Sequence, residues 1–315
     1  MDKKSATHAI KVGDSLVATV LQSRAKALKK RAASLKGKAK KKPMPMRFVA
    51  GVQPLRMMGA AMESNGVLVA EGDSWFDYPL NDVLSCLEDE HGYDVESVAH
   101  KGDSVENMAY AEGQLTDLSR LIEKLIRQGN TPKAILLSGG GNDIAGDEFG
   151  MLLNHKKSSI YGLNDKIVEG VMDRISHAYV TIIWSVMQLC KERLGREVPI
   201  LVHGYDYPVP DGRGFMGGWG PLPGPWLEPG FREKGFEVLK ERTEIMINLI
   251  DRFNLTIKSV TNLSQFAGNV TYVDLRGTLK NDSTYKKDWA NELHPTGDGF
   301  SMVTNKFASA LNRLP

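Results

Sequence analysis

The triplet Gly-Asp-Ser occurs three times in the chain, at 13–15, 72–74 and 102–104. Each offers a serine hydroxyl beside a carboxylate and a glycine. A serine hydroxyl becomes a nucleophile only where the backbone holds it outward and nearby N–H groups face the negative charge that attack creates. The flanking residues decide among the three. Ser74 follows VLVAE (67–71), which reads as a buried strand, and precedes a helical pattern at 81–92, so it lies on a strand-to-helix turn. Ser15 sits in a lysine-rich segment with no buried strand before it, and Ser104 is placed to cap the helix that follows. Two further clusters bring side chains with useful chemistry, Gly140-Gly141-Asn142-Asp143 and His203-Gly204-Tyr205-Asp206.

These clusters need elements that bring them together. Short apolar runs at 67–71, 93–100, 133–139, 198–204 and 269–275 read as strands, separated by helical patterns at 81–92, 104–128, 164–193, 232–253 and 299–314. Five strands with helices between them imply right-handed crossovers and a parallel sheet, hence a three-layer α/β/α sandwich. Ligands of such sheets lie at the carboxyl ends of the strands, where Ser74, Gly102, the 140–143 cluster and the 203–206 cluster all fall. His203 ends a strand there, but the expectation for it is a satisfied core histidine. The stretch 205–230 has neither helical nor strand period and is dense in Gly, Pro and aromatics. A loop of that length is expected to wall or cover a pocket, with Trp219, Trp226, Trp75 and Tyr78 as apolar contacts.

Four blocks in order along the body carry a resemblance. EGDSW (71–75), HKGDS (100–104), GGND (140–143) and NELHP (291–295) together resemble the SGNH (GDSL-type) hydrolases, whose fold is the flavodoxin-like three-layer sandwich with a five-stranded parallel sheet. The resemblance implies Ser74 as nucleophile, the Gly102 N–H and the Asn142 side-chain amide as oxyanion donors, and His294 as general base. It implies hydrolysis of a small-molecule carboxylic ester through an acyl-serine, with no metal and no organic cofactor. One position departs from the family, whose last block reads Asp-x-x-His where this chain has Asn291. An asparagine can orient a histidine without stabilising its charged form. Asn291 takes that role here, with Asp288 and Glu292 as rivals. An acyltransferase on the same fold, a catalytically weakened binding protein, and a phosphoesterase holding a metal on Asp73, Asp143 and Asp206 stay open as alternatives.

Composition separates the two ends of the chain. Residues 1–47 hold 14 Lys/Arg against Asp2 and Asp14, a net of +12 that leaves the remaining residues at −10. The expected organisation is therefore a basic N-terminal tail, 1–47, ending in a Pro43/Pro45 linker, and a catalytic domain, 48–315. A basic amphipathic helix over about 14–36 is expected in the tail, as a solvated extension or as a contact for an anionic membrane or nucleic acid. The two cysteines, Cys86 and Cys190, lie in helical stretches without metal-like spacing and are expected to be buried thiols. No run of 18 apolar residues and no signal-peptide core occurs, so the expected location is cytoplasmic.

Overall fold

The computed structural model describes residues 1–38, 64–111, 113–146, 148–217 and 222–314. The linker at Pro43/Pro45 and the boundary expected at 47/48 lie outside the described residues. In chain order the elements are α1 (Lys3–Lys38), β1 (Val67–Glu71), α2 (Val83–Asp89), β2 (Asp94–Ser97), α3 (Val105–Tyr110), α4 (Gln114–Gln128), β3 (Pro132–Leu137) and α5 (Gly141–Ile144). There follow β4 (Leu153–Asn154), β5 (Gly162–Leu163), α6 (Asp165–Leu194), β6 (Ile200–His203), α7 (Glu228–Glu233), α8 (Leu239–Thr261), β7 (Val270–Val273) and α9 (Gly297–Leu311).

Five strands form one parallel sheet in the order β2-β1-β3-β6-β7, and β4 and β5 make a small antiparallel pair beside it. The sequence sorts the strands. The central ones, VLVAE, PKAILL and ILVH, are nearly continuous apolar runs because helices cover both faces, whereas the edge strands DVES and VTYV carry partly exposed residues. Helices α2 and α9 pack together on one face, and α3, α4, α6 and α8 on the other. This is the expected three-layer α/β/α sandwich. Its strand order reverses direction between β1 and β3, and the crevice at such a reversal is where open α/β sheets bind ligands.

Two helical expectations change. The single helix expected over 104–128 is two, α3 and α4, with the break next to Gly113, whose φ of +110° lies outside the helical range. The helix expected at 232–253 begins later and runs further, as α8 to Thr261. Both cysteines are buried free thiols. Among the described residues no helix is long and apolar enough to cross a membrane.

The N-terminal helix is the larger difference. It is not a solvated extension: Ala6, Ala9, Gly13, Val17 and Val20 form a buried stripe at helical spacing that packs along α6, and the helix also reaches α4. The reason lies in α6, where Ala178, Tyr179, Val180, Thr181, Ile182 and Ile183 are all buried in succession. A helix apolar on every side needs cover beyond the sheet. Gly13 sits where the two helices approach most closely, since a Cβ there would stand 3.1 Å from Ser185 Oγ and 3.1 Å from the Trp184 ring. Asp14 accepts a 2.7 Å hydrogen bond from Trp184 Nε1, and Arg24 pairs with the buried Glu123 at 2.7 Å. The first Gly-Asp-Ser triplet is thus a helix-packing feature. Lys3, Lys4, Lys11, Lys26, Lys29 and Lys30 of α1 face outward.

A larger side chain at the crossing should push α1 off α6. Gly13→Leu gains helix propensity of about 1 kcal/mol but overpacks a close contact, and a net loss of about 1–2 kcal/mol is expected. Urea denaturation of the full-length variant measures it; an unchanged or raised midpoint would mean that α1 is not docked as described.

Candidate active site

The turn after β1 is shaped by what surrounds it. A Cβ on Gly72 would lie 2.7 Å from Ser138 Cβ, so only glycine lets the chain leave β1 this close to β3. Asp73 then turns inward. Its Oδ1 accepts from the Trp75 N–H at 3.0 Å and from the Ser138 hydroxyl at 2.7 Å, and its Oδ2 accepts from the Tyr205 hydroxyl. With Asp73 pinned between the ends of β1, β3 and β6, the next side chain, Ser74, points out of the sheet edge.

The loop carrying His294 comes from the far end of the chain and meets it there. Ser74 Oγ lies 2.7 Å from His294 Nε2, across 220 residues of sequence. His294 Nδ1 lies 3.1 Å from Asn291 Oδ1. The same Oδ1 accepts from the N–H groups of Leu293 and His294, each at 2.9 Å, while Asn291 Nδ2 donates to the Tyr78 hydroxyl at 2.9 Å. Two backbone donors fix which end of the amide is oxygen, and an oxygen can only accept. Nδ1 of His294 therefore carries the proton, which leaves Nε2 as the acceptor facing the Ser74 hydroxyl. Tyr78 also stacks on the imidazole, with ring centroids 4.2 Å apart and planes 18° from parallel, and Trp226 meets it edge-on at 5.6 Å. Burial within this aromatic setting pushes the His294 pKa down to about 3. The resting imidazole is neutral.

Gly102 and Asn142 line the same cleft as Ser74 and His294. Gly102 has a φ of +93°, which favours glycine, and among the described residues neither its N–H nor that of Ser74 has a hydrogen-bond acceptor. Asn142 Nδ2 donates to the Asp103 carbonyl at 2.9 Å, and Asp143 Oδ2 accepts from the Val105 N–H at 2.9 Å. The third block therefore holds the second in place. Ser104 caps α3, accepting from the Asn107 N–H at 3.1 Å, as its position suggested.

The rivals to Asn291 are committed elsewhere. Asp288 Oδ2 accepts from the Lys280 N–H at 2.8 Å. Glu292 is fully buried and takes four backbone N–H groups, those of Gly212 (2.9 Å) and Glu228 (3.0 Å) on Oε1 and those of Trp226 (2.7 Å) and Leu227 (2.8 Å) on Oε2. Sequence reasoning named Glu292 only as a possible triad acid and missed this use. The carboxylates of the metal alternative are likewise engaged: Asp73 as described, Asp143 on Val105, and Asp206 on the N–H groups of Tyr207, Gly277 and Leu279. Among the described residues no group of three or more His, Cys, Asp or Glu side chains is arranged to hold a metal. His203 is packed between Trp75, Phe76, Tyr205 and Phe307 with Nδ1 on the Gly204 carbonyl, and burial lowers its pKa. It is a core histidine.

The long loop after β6 forms one wall of the cleft. Phe215, Leu222, Pro223 and Trp226 face Tyr78, Gly102 and His294 across an open space of about 340 Å³. Trp75 lies beneath, in the core, and Trp219 is outside the described residues.

No family model matches the chain, and no curated protein matches it. Among solved structures it is similar to a lipase from a goat rumen metagenome, at 14% identity over 79% of this chain and 100% of that one with a TM-score of 0.49. It is also similar to a carbohydrate acetylesterase from Sinorhizobium meliloti, at 11% identity over 79% and 100% of the two chains with a TM-score of 0.43. A catalytic mutant of an acetylxylan esterase from Geobacillus stearothermophilus is similar at 14% identity over 79% and 95%, with a TM-score of 0.42. The five-stranded parallel sheet and three-layer α/β/α sandwich of this chain are the fold that the resemblance to SGNH (GDSL-type) hydrolases implies.

Glu292 gives a structural test of the site. Glu292→Ala would orphan four inward-facing N–H groups, a loss of at least about 3 kcal/mol. For a chain of this size that corresponds to a fall in Tm of about 4–5 °C or more. Faster limited proteolysis within 211–228 should accompany it; wild-type Tm and cleavage rate would show that the four bonds do not hold the loop.

Proposed function

We propose that the protein hydrolyses carboxylic esters through an acyl-serine intermediate. The observation that carries this reading is the hydrogen-bond chain Ser74 Oγ–His294 Nε2 and His294 Nδ1–Asn291 Oδ1, set beside N–H groups that have no internal acceptor. In the proposed reaction Ser74 Oγ attacks the ester carbonyl carbon while its proton passes to His294 Nε2. The Ser74 and Gly102 N–H groups and the Asn142 amide receive the resulting oxyanion. Collapse breaks the bond to the alkoxy oxygen, which takes the proton back from His294 and leaves as the alcohol. Water then attacks the acyl-serine with the same base, releasing the carboxylic acid and restoring Ser74.

Among the described residues no carboxylate bonds to the imidazolium formed in each step. Its support comes from the Asn291 carbonyl dipole and from the Tyr78 ring, whose face lies against it. An aromatic face attracts a cation by about 0.5–2 kcal/mol when water is excluded. Tyr78→Leu should therefore lower kcat by about 2- to 30-fold, and Tyr78→Phe, which keeps the ring, by much less.

Three measurements test the reading. A fluorophosphonate probe should label the wild-type chain and not Ser74→Ala, which should also lose hydrolysis of p-nitrophenyl acetate. Ser15→Ala and Ser104→Ala should keep it. Turnover that survives Ser74→Ala removes the proposal. The pH profile tests the base. Only neutral His294 can accept the Ser74 proton, so kcat/KM should rise with pH through the histidine's pKa, which burial has pushed down to about 3, and be flat from mildly acidic pH upward. Asn291→Asp adds a charge that favours the imidazolium, and the acidic limb should move up by about 1–3 pH units. Asn291→Ala frees the ring and should lower kcat about tenfold or more without that shift. A limb that stays put in Asn291→Asp would mean that residue 291 does not face the base.

A further inference from the structure

Ser74, Asn142, Leu293 and His294 line two spaces at once. One is the open cleft of about 340 Å³ bounded by Tyr78, Phe215, Pro223 and Trp226, with Lys101 at its rim. The other is an interior cavity of about 40 Å³ behind Ser74, walled by Ile144, Leu227, Met246, Ile250 and Trp289. All five of these walls are buried. Besides Ser74, Asn142 and His294, the polar side chains that line the inner cavity are Asp73, Tyr205 and Asp206, whose polar atoms are spent on Trp75 N–H, Ser138 and one another (Asp73 and Tyr205) or on backbone N–H groups (Asp206). It is a small, mostly apolar dead end among core side chains, and Ser74 lines it.

We propose that this inner cavity is the acyl site and that it limits the substrate to short unbranched acyl groups, acetyl to butyryl, esterified to a bulky alcohol lying in the open cleft. The inference rests on the acyl-serine reading above. The order of departure assigns the two spaces. The alcohol leaves first, while the acyl group is still bonded to Ser74 Oγ, so an alcohol in the dead end would be trapped behind the acyl-enzyme. Placed in the open cleft it leaves freely, water enters by the same route, and the acid departs last. Size sets the limit. The inner cavity holds about 40 Å³ against about 340 Å³ for the cleft, so it takes the shorter part of the ester, and butyryl carries three carbons beyond its carbonyl. Octanoyl carries seven, and the surrounding core is closely packed. Met246 and Ile250, from α8, are large apolar walls of this cavity, so their size bounds the acyl group it holds.

The test is the chain-length profile of p-nitrophenyl acetate, butyrate and octanoate with the full-length protein, since the alcohol is then constant. The expected result is a kcat/KM for acetate or butyrate at least 100-fold above that for octanoate. Met246→Ala, which deepens the dead end, should raise the octanoate-to-acetate ratio at least tenfold. Ala145→Leu, which projects into the same cavity from its other side, should depress butyrate relative to acetate and guards against a misfolded Met246 variant. Ser74-dependent turnover that is equal or faster with octanoate overturns the acyl-site assignment and leaves the hydrolase reading intact. So does a profile that neither substitution alters in folded protein. Absence of Ser74-dependent turnover and of fluorophosphonate labelling, with every ester, overturns both.

Discussion

The carboxyl edge of a parallel sheet poses a backbone problem that the rest of this site answers. Past the last ladder bond the chain turns into loops that stay buried, and each buried N–H there needs an acceptor that no neighbouring strand can supply. Here side chains supply it. Asp73, Asp206, Asn291 and Glu292 are buried, Asp143 is largely so, and each takes at least one N–H from a loop at this edge. Most of these bonds run between loops that are distant in sequence: Asp206 holds the segment at 277–279, Asp143 the start of α3, Glu292 the wall at 212–228. Ser74 and His294 approach to 2.7 Å because the loops bearing them are fastened in this way. Carboxylates suit the task because each offers two oxygens with several lone pairs, and N–H groups stabilise the charge that burial would otherwise penalise.

That arrangement explains what could be read in the sequence. The central strands were legible because a strand covered on both faces must be apolar throughout, and the blocks were legible because each follows such a strand directly. The break between α3 and α4 was not, since the helical spacing of Leu115, Leu118, Leu121 and Ile122 begins only after it, and only the glycine at 113 marks the turn. Among the site residues, the Ser74, His294 and Asn291 constellation followed from block order. The role of Glu292 did not, because four loop N–H groups from 212–228 are invisible until the loop is folded against it. Tyr78 was named as an apolar contact, but its stack on His294 depends on a register that sequence spacing does not specify.

The N-terminal helix shows how charge counts mislead. The net of +12 over 1–47 is a sum over a segment, and within α1 Lys3, Lys4, Lys11, Lys26, Lys29, Lys30 and Arg31 lie on the outward face. Docking is decided by the inward stripe, whose members at 6, 9 and 13 are Ala, Ala and Gly. Small residues contribute little to an apolar count, yet they let two helix backbones approach closely, and dispersion between close surfaces does the holding. The complementary signal lay in α6, where a run from 178 to 183 leaves no side for water. A helix must be read together with what its partner requires.

The asparagine at 291 has an electrostatic consequence beyond orientation. With a carboxylate there, the resting site would hold one negative charge, and attack by serine would form the imidazolium beside it. With an amide, Ser74, His294 and Asn291 are all neutral at rest, and burying the neutral pair His294 and Asn291 carries no ionic desolvation cost. In the proposed reaction the oxyanion and the imidazolium then arise together from neutral groups, so the barrier depends on dipoles already in place: the N–H groups at Ser74 and Gly102, the Asn142 amide, the Asn291 carbonyl and the face of Tyr78. Those dipoles need no rearrangement, because the side chains of Asn142 and Asn291 are held by bonds to Asp103 and to Leu293 and His294. The fastening of the loops and the neutrality of the triad are therefore linked. A site that forgoes a charged partner for its histidine depends more on rigid dipoles, and the buried acceptors at the sheet edge are what keep them rigid.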